Sequence, residues 1–182
     1  MSDVLDTGAI GDSFSTGSTA VTLTDVKLLL GSLGFSSTGT TSLDLLSDNS
    51  NSPGTQVAQL ATFNNTILPT AGSFQLVDFP GLSVALSANT RYWIQLSRAS
   101  ASGDQDVQNT LWSTSSDLSG IGVLGEYNFV FGPPGIPNTQ SPGPFQMKVT
   151  ASSTQAVPEP STMPFAILGF AAFVALRAWK CR

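Results

Sequence analysis

The chain has 182 residues with a formal net charge of −5 at pH 7, and only 10% of the residues are charged. An acidic chain does not bind nucleic acid by neutralising phosphates, because that mode needs clustered lysine and arginine. The absence of histidine excludes a serine–histidine–aspartate triad, a cysteine–histidine dyad and the usual zinc sites. Together with the many serine, threonine and glycine residues, these features favour one exported, β-rich, non-catalytic domain.

Short apolar runs with a period of two follow one another up to about residue 150, separated by glycine, proline, serine or asparagine. In the first long run, residues 21–30, the alternation changes phase near Asp25, which predicts a β-bulge or a break between two strands. The later runs are centred on Leu43 and Leu45, Val57 and Leu60, Phe74 and Leu76, Leu82 to Leu86, and Tyr92 to Leu96. No amphipathic helix interrupts them. The sequence therefore predicts a mainly β fold, an antiparallel β-sandwich of the jelly-roll type, over residues 1–150.

Residues 120–125 match the GxGxxG pattern of dinucleotide-binding loops. No strand leads into the pattern, and strand-like residues 127–131 follow where a helix should begin, so we interpret it as a structural turn. A loop rich in proline and glycine, residues 132–144, comes next. The alternation of residues 145–149 then predicts the closing strand, and residues 151–156 are interpreted as a linker.

Two acidic stretches have oxygens that suit Ca²⁺: Asp104-Gln105-Asp106 and Asp48-Asn49. Neither has the ligand spacing of a known calcium loop, and polar turns are the alternative interpretation. We therefore predict no metal or cofactor apart from this Ca²⁺ candidate. The carboxylates are scattered, and none is visibly paired for general acid–base catalysis, so an enzyme is not expected.

The strand that spans residues 91–96 carries the constellation best suited to binding. Alternation places two sets of side chains on opposite faces: Tyr92, Ile94 and Leu96 on one, and Arg91, Trp93 and Gln95 on the other. If the aliphatic face packs in the core, Trp93 presents a stacking platform for a sugar ring beside two hydrogen-bonding groups. The alternative is that a loop or helix covers Trp93, since tryptophan is highly buried on average.

The body of the chain resembles a known bacterial family in two stretches. Residues 43–60, LDLLSDNSNSPGTQVAQL, combine two strands with a polar turn that ends in Pro-Gly-Thr. Residues 82–97, LSVALSANTRYWIQLS, combine two strands with an Asn-Thr turn. Over residues 6–131 the chain looks like the choice-of-anchor R domain. The resemblance implies an exported β-domain of a kind that is joined to different C-terminal anchors, and it implies no catalytic residue.

The last segment, residues 157–182, reads VPEPSTMPFAILGFAAFVALRAWKCR. Pro158 and Pro160 fix the backbone φ angle and remove two donors, so the start of the segment should be extended and accessible. Residues 163–176 carry no charge; as a helix they would cover about 21 Å, against a hydrocarbon core of about 30 Å. We therefore predict one short transmembrane helix over about residues 163–179, with a buried core helix as the alternative.

This order of features closely resembles the PEP-CTERM sorting signal of Gram-negative bacteria, in which a Val-Pro-Glu-Pro motif precedes a short transmembrane helix and a basic end. The residues that match the motif are Val157, Pro158, Glu159, Pro160 and Ser161. Membership would imply that the tail holds an exported protein in the inner membrane. An exosortase, a membrane-embedded cysteine peptidase, would then process it near the motif for delivery outward. The implied partners are this peptidase and the membrane.

The basic end consists of Arg177, Lys180 and Arg182 and predicts a cytoplasmic C-terminus with the domain outside. Cys181 is interpreted as an incidental residue, with palmitoylation as the alternative. Residues 1–11 lack the basic and apolar regions of a signal peptide. Since export requires such a signal, we expect it upstream of this sequence; otherwise the interpretation of the tail is wrong.

Two functions of different class remain open. The first is an exported, non-catalytic component of the cell surface or extracellular matrix, held in the inner membrane in transit and sorted through its tail. The second is a carbohydrate-binding module or adhesin on the same anchor, with extracellular polysaccharide as its partner. Glycan binding by the domain distinguishes the two.

Overall fold

The structure, a computed structural model, describes residues 2–4, 8–32, 39–69, 71–98, 110–132 and 134–153. Within these ranges the chain forms eleven β-strands and one short 3₁₀ helix, Asn65–Ile67. The strands are β1 (Ser2–Val4), β2 (Ile10–Ser15), β3 (Val21–Ser32), β4 (Thr40–Asp48), β5 (Pro53–Asn64), β6 (Phe74–Leu86), β7 (Arg91–Arg98), β8 (Thr110–Ser113), β9 (Tyr127–Val130), β10 (Ile136–Pro137) and β11 (Met147–Ser153). All the pairings among these strands are antiparallel.

The first sheet has five strands and is organised around β3. Along one edge β3 pairs with β6, from Val21 opposite Leu86 to Gly31 opposite Phe74. Along its other edge β3 pairs with β11 and then with β8, and β1 lies beyond β8. The second sheet has six strands in the order β10-β9-β2-β7-β4-β5. This order gives β7, with the predicted binding constellation, a partner on both edges.

The two sheets enclose one main core, in the arrangement of a β-sandwich. Its fully buried aliphatic side chains come from both sheets; they are Ile10, Leu23, Val26, Leu28, Leu30, Leu43, Leu45, Ile94 and Leu96. Phe63 of β5 and Phe79 of β6 join the sheets, with 5.5 Å between ring centroids. Trp112 stacks on Phe145 at 4.7 Å. The core thus consists of the inward positions of strands that alternate between two faces.

The predicted change of phase in the third strand is confirmed. β3 continues without a break, and its pairing with β6 shifts register between Leu23 and Asp25. The bulge turns the backbone so that Leu23 before it and Val26 after it both face the core. The prediction of a mainly β, antiparallel fold is confirmed as well.

The closing strand is longer than expected. β11 pairs with β3 through Ser153, so residues 151–153 belong to the sheet and not to the linker predicted for residues 151–156. Residues 154–182, with the sorting motif and the helix predicted over about residues 163–179, lie outside the described residues. Among the residues that the structure describes, no helix is long and apolar enough to cross a bilayer.

Candidate functional site

The outer face of the second sheet, turned away from the core, carries the side chains for which binding was predicted. β7 alternates as expected. Tyr92, Ile94 and Leu96 belong to the main core, and Trp93 belongs to a separate cluster on the other face. Arg91 and Gln95 share that outer face with Trp93. The three outward side chains have different surroundings.

Trp93 is fully buried, at 0% exposure, although it lies on the outer face. Its ring meets Phe129 edge-on, with 5.6 Å between centroids, and Leu46 packs against it. Gly135 covers the ring, since a Cβ at Gly135 would lie 3.1 Å from Trp93 Cη2. The indole Nε1 donates to Asp48 Oδ1 at 2.9 Å. The interpretation of Trp93 as a stacking platform is therefore wrong, and the alternative, a Trp93 covered by a loop, is confirmed.

Arg91 holds the neighbouring turns together. Its Nε donates to Glu126 Oε2 at 2.9 Å, and its Nη2 donates to the carbonyl oxygen of Gly125 at 2.9 Å. Its Nη1 donates to Asn51 Oδ1, and its guanidinium carbon lies 4.9 Å from the centroid of the Tyr127 ring. Charge-assisted bonds of this kind are short and directional. Arg91 thus belongs to the framework of the face and not to an open contact surface.

Gln95, the third predicted contact, lines a groove with a volume of about 550 Å³. Asp44 lies opposite Gln95 in the pairing of β4 with β7. Asp44 Oδ1 accepts from Gln56 Nε2 at 2.9 Å, and Oδ2 accepts from Ser97 Oγ at 3.3 Å. The Gln95 side chain has no hydrogen-bond partner among the described residues. The floor of the groove is therefore polar and carries an unpaired amide.

One wall of this groove is apolar. The ring of Phe129 lies over Gly11, where a Cβ would come 2.3 Å from a ring carbon. Phe131 is 52% exposed, and its N–H donates at 2.8 Å to the carbonyl oxygen of Ala9, which lines the groove together with Gly132. Phe131 has a φ of 64°, which is uncommon for a bulky side chain. The exposed Phe131 thus adjoins two residues at the edge of the groove, Ala9 and Gly132.

A second polar cluster lies between the sheets. Asp12 is 1% exposed; its Oδ1 accepts from Asn138 Nδ2 at 2.9 Å, and its Oδ2 accepts from the backbone N–H of Phe145 at 2.6 Å. Asn128 Nδ2 donates to Asn138 Oδ1 at 2.9 Å. Desolvation raises the pKa of Asp12 from 3.8 to about 8 and outweighs the hydrogen bonds from Asn138 and Phe145, which lower it. The cluster attaches the loop before β11 to β2.

Sequence reasoning missed Asp12 and Glu126. A signal for Asp12 was present, because it lies between Ile10 and Phe14 at an inward position of an alternating strand. Glu126 gave no such signal. Its Oε2 accepts from Ser13 Oγ and Arg91 Nε, residues 113 and 35 positions away along the chain.

The remaining predictions concern turns. Residues 120–125 form turns, Ile121 is fully exposed and β9 follows instead of a helix, so the structural-turn interpretation of the GxGxxG pattern is confirmed. Asp48, a Ca²⁺ candidate, accepts from Trp93 Nε1 and from the N–H of Asn51. The described part of the chain contains no group of three or more acidic, cysteine or histidine side chains that could hold a metal. Asp104 to Asp106 lie outside it, so the interpretation of that stretch as a polar turn, with a Ca²⁺ site as the alternative, stays a prediction.

Comparison with known proteins leaves the family open. Models of known protein families do not match the chain, and no curated protein matches it. The sorting-motif residues Val157 to Ser161 and the basic residues Arg177, Lys180 and Arg182 lie outside the described residues. Their roles stay predictions.

Proposed function

We propose that this chain is an exported, non-catalytic component of a bacterial cell surface or extracellular matrix, sorted through a C-terminal signal of the PEP-CTERM type. Its domain is a jelly-roll-like sandwich of the choice-of-anchor R type. In transit, a short helix over about residues 163–179 holds the protein in the inner membrane, with the basic end in the cytoplasm. An exosortase then processes the chain near Pro158 to Ser161 and delivers the domain outward.

The position of the motif relative to the last strand carries the proposal. β11 is paired with β3 through Ser153, and the motif begins at Val157, after three intervening residues. Pro158 and Pro160 have no N–H and cannot extend a ladder of hydrogen bonds. The motif is thus a sequence that does not favour a further strand, which supports a role as a peptidase substrate.

The polar side chains of the domain support a non-catalytic role. The Asp12 carboxyl group accepts hydrogen bonds from Asn138 and from the backbone N–H of Phe145. The Glu126 carboxylate accepts from Ser13 and Arg91. Both carboxyl groups join distant parts of the chain, and neither has the free, paired arrangement that general acid–base catalysis requires.

The proposal is tested by altering the motif in a host that contains an exosortase, with a signal peptide supplied. The wild-type protein is expected in the surface fraction. Simultaneous replacement of Pro158, Glu159 and Pro160 by alanine should leave the full-length protein in the inner membrane. Gln155→Ala, just before the motif, is the control and should be sorted normally. Equal surface delivery of the triple variant contradicts the proposal.

A further inference from the structure

We propose that the groove on the outer face of the second sheet, floored by Asp44 and Gln95, binds a neutral saccharide. Its volume of about 550 Å³ lies within the range of about 300–1,000 Å³ that is usual for small-molecule sites. This function goes beyond sorting and is independent of it, because the described residues that line the groove all belong to the domain.

Gln95 supplies hydrogen-bonding capacity that the fold does not use. Its side chain has no partner within the described residues. A primary amide offers two N–H donors and a carbonyl acceptor, and a sugar hydroxyl also donates and accepts. Gly11 faces Gln95 across the pairing of β2 with β7, and Phe129 fills the space above Gly11. Gln95 is half-buried beside this aromatic ring, where a hydrogen bond to a ligand is stronger than it is in open water.

Asp44 adds acceptors in fixed positions. Each carboxylate oxygen has about two lone-pair positions, and each oxygen of Asp44 already accepts one bond, from Gln56 or from Ser97. One acceptor position on each oxygen is thus unused among the described residues, although Asp44 as a whole is buried, at 6% exposure. Asp44 and Gln95 are directly opposite on adjacent strands, which lie about 4.8 Å apart. A carboxylate and an amide side by side at this spacing fit neighbouring hydroxyl groups of one sugar ring.

The charge of the groove disfavours other ligands. Asp44 is the only charged residue among the described residues that line it, and the chain as a whole is acidic. An anionic ligand is therefore repelled. A calcium ion takes about six to eight oxygen ligands, and Asp44 is the single carboxylate among the described residues that line the groove. A neutral ligand rich in hydroxyl groups satisfies both constraints.

The apolar wall suits the C–H faces of a sugar ring. Leu46 and Phe129 line the groove but are buried, at 6% and 2% exposure, so the apolar surface open to a sugar is that of Phe131, 52% exposed, beside the groove. Aromatic side chains present a large, rigid apolar surface at low entropic cost. The left-handed φ of Phe131, 64°, is a strained conformation of the kind found at binding sites. We therefore assign the sugar contact to this neighbouring part of the same face and not to Trp93.

The test uses the purified whole chain in detergent micelles and an array of neutral and anionic oligosaccharides. Binding of a neutral oligosaccharide is expected, and isothermal titration calorimetry then measures its affinity. Gln95→Ala should weaken binding at least about tenfold, because it removes one or two hydrogen bonds to the ligand. The urea midpoint of unfolding should not change. Gln140→Ala, at an exposed glutamine outside the groove, is the matched control and should bind as the wild type does.

Several results would overturn this proposal. One is the absence of binding to every neutral oligosaccharide on the array, and another is binding of anionic ones alone. A neutral ligand that binds Gln95→Ala as tightly as the wild type also overturns it, because that ligand occupies a different place. Failure here leaves sorting through the tail unaffected, since none of the substitutions touches the motif.

Discussion

Trp93 lies on the outer face of a sheet and is nevertheless a core residue, because its neighbours cover the ring. Phe129 meets it edge-on, and the loop at Gly135 runs over it. Its Nε1 finds an acceptor in Asp48, so burial leaves no donor unpaired. The outer face is thus built around a small second core.

Trp93→Ala should lower the free energy of unfolding by about 3–5 kcal/mol, since it removes a large, fully buried side chain. Urea denaturation followed by circular dichroism measures the change. Phe131→Ala is the aromatic control. Because Phe131 is half-exposed, this substitution should lower the free energy of unfolding by less than about 1 kcal/mol. An equal decrease in the free energy of unfolding in the two variants would show that Trp93 is not a core residue.

Asp12 makes stability depend on pH. Burial raises the pKa of Asp12 to about 8 in the folded chain, whereas its ordinary value is 3.8. Between these values the folded state keeps a proton that the unfolded state has released. The free energy of unfolding therefore falls as pH rises from about 4 to about 8, and the Asp12 contribution is constant above that. The chain has no histidine, so few other groups titrate in this interval.

Urea unfolding at intervals from about pH 5 to about pH 9 should show this decline in the wild type. Asp12→Asn keeps the shape of the side chain and removes its titrating proton, so its stability should change much less over the same interval. The comparison between the two slopes is the measurement. Identical slopes would contradict the burial of a protonated carboxyl at this position.

At the scale of elements, the segment just before β10 approaches the turn between β4 and β5 through a close backbone contact. A Cβ at Gly135 would lie 2.0 Å from the carbonyl oxygen of Asn51, and the N–H of Gly135 donates to Ser52 Oγ at 3.3 Å. The obstructing atom belongs to the backbone, so a side-chain rotation cannot relieve the clash. This position therefore requires glycine if the loop is to cover Trp93.

Gly135→Ala should displace the loop and destabilise the fold by about 1–3 kcal/mol, as overpacking generally does. Tryptophan fluorescence should shift to longer wavelength as Trp93 gains solvent. Gly17→Ala is the control, because a Cβ at Gly17 would meet no atom within 4 Å. An unchanged urea midpoint and emission maximum for Gly135→Ala would contradict the role of the loop.

Features that depend on near neighbours were predictable from the sequence, and those that depend on distant ones were not. The bulge near Asp25 and the turns at residues 120–125 follow from local alternation and glycine spacing. Asp12, in contrast, bonds to Phe145, 133 residues later. Asp44 likewise bonds to Ser97, 53 residues later. Alternation placed Trp93 on the outer face, but it contains no information on which loop covers that face.

At the scale of the whole molecule, the domain and the tail differ in charge and chemistry. Eleven of the 12 acidic residues precede residue 157, and three of the seven basic residues follow it. The single cysteine, Cys181, also lies in the tail, so no disulfide links parts of the domain. Packing and buried polar contacts therefore account for its stability. In the proposed function this domain lies outside the cell and the basic tail lies at the cytoplasmic face of the membrane.

The intact mass of the protein recovered from the cell surface tests this account most directly. The host must contain an exosortase, and the chain must carry a signal peptide. Mass spectrometry should then give a mature protein that ends between Pro158 and Ser161 and lacks residues 165–176. A surface protein that retains residues 165–176 would contradict sorting by cleavage and would indicate a permanent membrane anchor.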